Sequence, residues 1–148
     1  MIVLKRIKYF TRRDYLPENE QFDEDIPSEC NIIFNIQRTK KFLAQFKDQM
    51  PGDQEIIKSL IKDIKAGYYY SDGPSGGDTH WLKDFSHKGR SHMMSKKVNY
   101  HDRLNYRVYK PSLEYDEDGN LLPTQTLKIV LESCADHGRN GAKNYSAI

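Results

Sequence analysis

Residues 53 to 67 carry the clearest pattern in the chain. Ile56, Ile57, Leu60, Ile61 and Ile64 recur at i, i+1, i+4, i+5 and i+8, while Lys58, Lys62 and Lys65 occupy positions of the opposite face. That spacing turns one face of an α-helix inward and leaves the other in water. It predicts a helix opening at Asp53 and ending at Gly67. Upstream, Thr39 is placed to cap a helix in which Phe42, Leu43 and Phe46 share a face, and Pro51-Gly52 separates the two. A period of two governs the second half. Leu104, Tyr106 and Val108 alternate with Asn105, Arg107 and Tyr109, and Leu127, Ile129 and Leu131 alternate with Lys128, Val130 and Glu132, as in strands that bury one face. Residues 31–36, Asn-Ile-Ile-Phe-Asn-Ile, are a β-prone run of core-strand length. Residues 2–10 suit a further short strand by composition, with imperfect alternation. Residues 115–120, Tyr-Asp-Glu-Asp-Gly-Asn, predict the turn at the tip of a long antiparallel connection. The order of strand, two helices and several strands predicts an α+β domain, two helices packed on one face of a twisted antiparallel sheet, with an N-terminal extension.

Length and composition sharpen this picture. At 148 residues the chain suits one domain. Ten tyrosines, six phenylalanines and one tryptophan give it the means to form a core despite a hydrophobic fraction of 37%. The expected divisions are a strand and acidic arm over residues 1–30, a main domain over 31–138 and a tail over 139–148. Cys30 and Cys134 make no disulfide framework, and Met1 is followed by no apolar run of signal-peptide or membrane-spanning length. A soluble protein of the reducing cytoplasm, with no membrane partner, is the expectation.

The net charge of +2 conceals a segregation of signs. Residues 14–29 hold seven acids and no Lys or Arg, and with Pro17 and Pro27 they read as a solvated loop or flexible arm. Residues 77–112 hold eight Lys or Arg against three Asp, and also His80, His87, His92 and His101. A polyanion is therefore expected to meet the second half. Attraction between the two segments predicts that the arm lies across or near the basic surface, the alternatives being a linker or a segment packed elsewhere on the sheet. Between helix and basic stretch, Tyr68-Tyr69-Tyr70 leads into a loop containing Gly73, Pro74, Gly76 and Gly77, of the kind that borders sites. Zinc is disfavoured by spacing. Only Cys134 and His137 have a ligand-like separation, and no second close pair accompanies them.

Several segments taken together carry a family resemblance. In order they are residues 57–64, Trp81-Leu82-Lys83-Asp84, Ser95-Lys96-Lys97-Val98, Asp102-Arg103-Leu104-Asn105-Tyr106-Arg107-Val108, and Leu127-Lys128-Ile129-Val130 leading to Cys134-Ala135-Asp136-His137. Over residues 31 to 138 the chain resembles the RelE/YoeB superfamily of bacterial toxin–antitoxin ribonucleases. The resemblance implies a RelE-like fold, cleavage of mRNA in the ribosomal A site, and neutralisation by a cognate acidic antitoxin. It implies no cofactor.

Cutting RNA without a metal needs a base for the ribose 2′-hydroxyl, cations for the charge gathering on the phosphate, and an acid for the 5′-oxygen. By the resemblance, Arg103 matches the phosphate-stabilising arginine, whose planar fork can grip two oxygens. Lys96 and Lys97 stand where the YoeB pattern has paired arginines and the RelE branch lysines. His137 matches the C-terminal histidine, and an imidazole pKa of about 6.5 suits proton transfer. Two departures matter. His80 stands where YoeB-like proteins carry a glutamate as base, with His101 a rival, and Gly138 stands where they have tyrosine, a role for which Tyr145 is a candidate. Lys83, Arg90, His101 and Arg107 join Lys96 as RNA-binding candidates. Two other readings remain: a catalytically degenerate nucleic-acid-binding or gyrase-inhibiting protein, and a structural or regulatory protein whose basic strip binds nucleic acid or an acidic partner.

Overall fold

Thr39 caps the first helix as its sequence position predicts, its Oγ1 accepting the Phe42 N–H at 2.9 Å. The computed structural model describes residues 16–135. Its elements are β1 (Asn31–Arg38), α1 (Lys40–Asp48), α2 (Pro51–Lys65), β2 (His80–Trp81), β3 (Ser91–Lys97), β4 (Arg103–Tyr109) and β5 (Thr124–Ser133). Ile57, Leu60, Ile61 and Ile64 of α2 are buried, whereas Ile56 at the margin of the stripe is exposed. They join Phe42 of α1 and Leu104, Tyr106, Val108, Leu127, Ile129 and Leu131 of the sheet in one core. No helix among the described residues is long and apolar enough to cross a membrane.

The sheet corrects the expectation of an antiparallel, RelE-like arrangement. Five strands run in the order β1-β5-β4-β3-β2, and β1 pairs with β5 in parallel, Phe34 opposite Leu127 and Ile36 opposite Ile129. The remaining pairings are antiparallel, so the sheet is mixed. Alternation of apolar residues reports which face of a strand is buried and says nothing about the direction of its neighbour. That is why the pattern at residues 31–36 could not reveal this pairing.

The acidic segment differs from the expected solvated arm. Leu16, Phe22 and Ile26 are buried, and short 3-10 turns at Glu18–Glu20 and Phe22–Asp25 bring them inward. The Phe22 ring stacks on His92 of β3 at 4.0 Å, its N–H donates to Tyr70 Oη at 3.1 Å, and Tyr70 Oη lies 2.7 Å from His92 Nδ1. Asp25 meets Lys110 at 2.7 Å. The segment is thus packed on the core side of β3 and reaches one exposed residue of the basic stretch, Lys110, through Asp25 and the Phe22 ring. Residues 2–10, where a strand was expected, and the tail lie outside the described residues.

Candidate active site

The loop between α2 and β2 is built around two glycines that no other residue replaces cheaply. A Cβ on Gly73 would lie 2.7 Å from Asp63 Cγ, and Gly77 has φ +117° with Leu60 and Lys96 against it. Asp63 Oδ2 accepts the Ser75 N–H at 3.0 Å and Asp72 Oδ1 accepts the Thr79 N–H at 2.7 Å. From the sheet, Lys96 Nζ donates to Ser71 O at 2.7 Å and to Thr79 Oγ1 at 2.8 Å. Lys96 is fully buried. Burial pushes its ammonium pKa down to about 8, against the opposing pull of Asp72 and Asp63.

Fastened from inside, the loop presents Asp78 on the other face of the sheet. Asp78 has φ +43°, the only non-glycine residue in left-handed territory among those described. Its carboxylate lies 3.2 Å from His80 Nε2 and 3.9 Å from Arg103 Nη1. Arg103 Nη2 also donates to the Asp78 carbonyl, while its Nε donates to Ser95 Oγ at 2.6 Å and Nη2 to Ser95 O at 3.1 Å. Register explains the convergence. His80 pairs with Ser95, Ser95 with Asn105, and Lys97 with Arg103, so His80, Ser95, Lys97 and Arg103 share this face. A histidine that donates Nε2–H to a carboxylate holds its basic lone pair on Nδ1, the arrangement of an oriented proton acceptor.

The other candidates separate into exposed and buried groups. Lys97 is exposed beside Arg103, and His101 is exposed in the turn that joins their strands. Lys83 is exposed, 6.0 Å from the Trp81 ring centroid, and Arg90 is exposed at a turn with Ser86, His87 and Lys88. Lys96, expected to meet RNA, faces the core instead, because the period of two assigns it and Lys97 to opposite faces. Arg103 is buried rather than displayed, 7% exposed, with its guanidinium engaged by Asp78 and Ser95. Arg107 is buried likewise, Nη1 donating to Ser91 Oγ at 2.8 Å and Nε lying 3.6 Å from Glu132. His137 and Tyr145 lie outside the described residues.

Two residues change standing. Asp78 was not among the sequence candidates, although it follows Gly76-Gly77 and precedes His80 by two, a placement that gives it backbone freedom and a histidine in reach. Cys134 is buried at the end of β5, its thiol directed at Phe42 O at 3.7 Å, and burial pushes its pKa up to about 12. Such a thiol is inert. Among the described residues no group of three His, Cys, Asp or Glu is placed to hold a metal ion. Comparison of the chain with protein-family models, with curated proteins and with solved structures returns no match.

Proposed function

We propose that this chain is an endoribonuclease that cuts mRNA at the ribosomal A site, in the manner of the RelE/YoeB toxins its sequence resembles, and that an acidic antitoxin neutralises it. The observation that carries the reading is the Asp78 carboxylate shared by His80 and Arg103. His80, oriented by Asp78, takes the proton from a ribose 2′-hydroxyl. The 2′-oxygen then forms its bond to phosphorus, the bond from phosphorus to the 5′-oxygen breaks, and a 2′,3′-cyclic phosphate results. Lys97 offsets the charge gathering on the phosphate. Arg103 acts as a positioning residue through Asp78. A proton must reach the departing 5′-oxygen, and His137 is the candidate donor.

The test is a cell-free translation reaction on an end-labelled reporter mRNA, run beside the same mRNA without ribosomes. Codon-phased cuts by the wild type, lost in His80→Ala and weakened in Asp78→Asn, are expected. Translation unaffected by the wild type would sink the reading. A second reading, RNA binding without cleavage, draws support from the engagement of the Arg103 guanidinium within the protein. It predicts inhibition without cuts.

A further inference from the structure

The turn that joins β3 to β4 leaves Lys97 and returns to Arg103, the cross-strand pair at the edge of the candidate site. Asn99 organises it. Its Oδ1 accepts the N–H groups of His101 and Asp102, both at 2.8 Å, and its Nδ2 donates to the Asp102 carboxylate at 3.2 Å. Two backbone bonds, Val98 N–H and Asn99 N–H to Asp102 O, close the turn at 3.0 and 3.2 Å. On this fixed tip Tyr100 is 83% exposed, more than any other large hydrophobic side chain among the described residues. The His101 ring meets it edge-on, centroids 5.0 Å apart. A single exposed aromatic needs no explanation. An aromatic pair held out by a rigid turn, within about 10 Å along the backbone of an exposed lysine, has the two components of single-strand recognition, a π-face and a cation.

We propose that Tyr100, with His101 beside it, is a stacking platform for an unpaired nucleobase of single-stranded RNA whose phosphate is held at Lys97. The proposal rests on RNA being the partner, as above, and adds which residue recognises a base. Stacking uses the face of the ring and not its hydroxyl, so it tolerates any base and any aromatic substitute. A duplex, whose bases are already stacked, gains nothing from it.

The experiment measures anisotropy of a fluorescein-labelled RNA hexamer with the full chain at low salt. It is repeated with an abasic hexamer carrying the same phosphates and with a short RNA duplex. Tyr100→Ala is expected to weaken hexamer binding by about 5- to 150-fold, the range for one stacked base. Tyr100→Trp should retain it. The abasic hexamer should bind wild type as weakly as it binds Tyr100→Ala, and the duplex should not distinguish the two proteins. Equal affinity of wild type and Tyr100→Ala for the hexamer overturns the proposal, as does a wild type that binds no RNA. Cleavage is scored separately. Tyr100-dependent binding without cuts upholds the platform and removes the nuclease, whereas codon-phased cuts with no effect of Tyr100→Ala do the reverse.

Discussion

Two irregular segments, the acidic stretch before β1 and the glycine-rich loop before β2, are fastened to the same face of β3 in different ways. The first is held at His92, the second at Lys96, four residues further along the strand and therefore on the same side. At His92 the fastening is an uncharged stack: Phe22 lies on the imidazole, and burial pushes the histidine pKa down to about 4. At Lys96 it is a buried amine that donates to a carbonyl and a hydroxyl. Apolar area dominates the first contact and hydrogen-bond satisfaction the second. A strand that reads as basic thus spends two of its titratable side chains on holding other parts of the chain.

The largest effect is expected where apolar area dominates. Phe22→Ala removes a ring that is 4% exposed and leaves a cavity over His92. A loss of about 3–5 kcal/mol follows from the usual cost of such a truncation. Urea unfolding should show a lower midpoint. A loss under about 1 kcal/mol, the level of a surface substitution, would return the segment to the status of a linker.

Acid should open the same contact. Between pH of about 6.5 and about 4 the unfolded chain binds a proton at His92 that the folded chain does not, so stability falls as pH drops through that window. The loss is on the order of 3 kcal/mol at its low end. Asp25 favours the charged imidazole and Lys110 opposes it, and Tyr70 Oη faces the ring. Urea midpoints compared across pH for wild type and His92→Phe isolate the contribution, since the variant keeps a ring for Phe22 and cannot titrate. Parallel pH curves would show that His92 does not report on the fastening.

The difference between the segments also measures what could be read from sequence. Regular elements announce themselves by period. The α2 stripe, the Thr39 cap and the alternation of β5 stand where residues 39–64 and 127–132 place them, whereas β4, whose period predicts one buried face, is buried on both. Leu16, Phe22 and Ile26 follow no period, because 3-10 turns of three and four residues bring them to the core, and they vanish among acids. The candidate site was legible in part. His80, Lys97 and Arg103 were legible as residues, but only the register of β2, β3 and β4 brings them together. Asp78 depends on a left-handed backbone angle that no side-chain pattern encodes.

At the second fastening, Lys96→Met removes the amine that donates to Ser71 O and Thr79 Oγ1. Stability is expected to fall by about 1–3 kcal/mol, the cost of losing buried hydrogen bonds of a charged donor, less the relief of removing a buried amine. The loss should be local: faster amide exchange at Ser75 and Thr79, whose N–H groups hold the loop by bonding to Asp63 of α2 and to Asp72, with the Phe22 amide unchanged. Arg103→Ala should cost a similar amount, because Ser95 and the Asp78 carbonyl lose their shared partner. Uniform acceleration across both segments would mean that they are one cooperative unit, and the comparison would fail.

The smallest effect on stability is expected at Lys97, the neighbour of Lys96 that points the other way. It is exposed, and among the hydrogen bonds in which its backbone takes part is one to Gly77 O, which a side-chain truncation leaves in place. Lys97→Ala should therefore change the unfolding free energy by no more than about 0.5 kcal/mol. Its effect should fall on RNA instead. An exposed lysine that neutralises one phosphate releases one condensed counterion, so the slope of log affinity against log salt should decrease by about 0.7 for a single strand. The paired measurement on Lys96→Met, corrected for the fraction folded, should leave that slope intact, since a buried amine bonded to Ser71 and Thr79 meets no phosphate. Equal changes of slope in the two variants would show that the loop carries its phosphate contacts with it when Lys96 is lost. The division between a lysine that holds the loop and one that meets the ligand would then not stand.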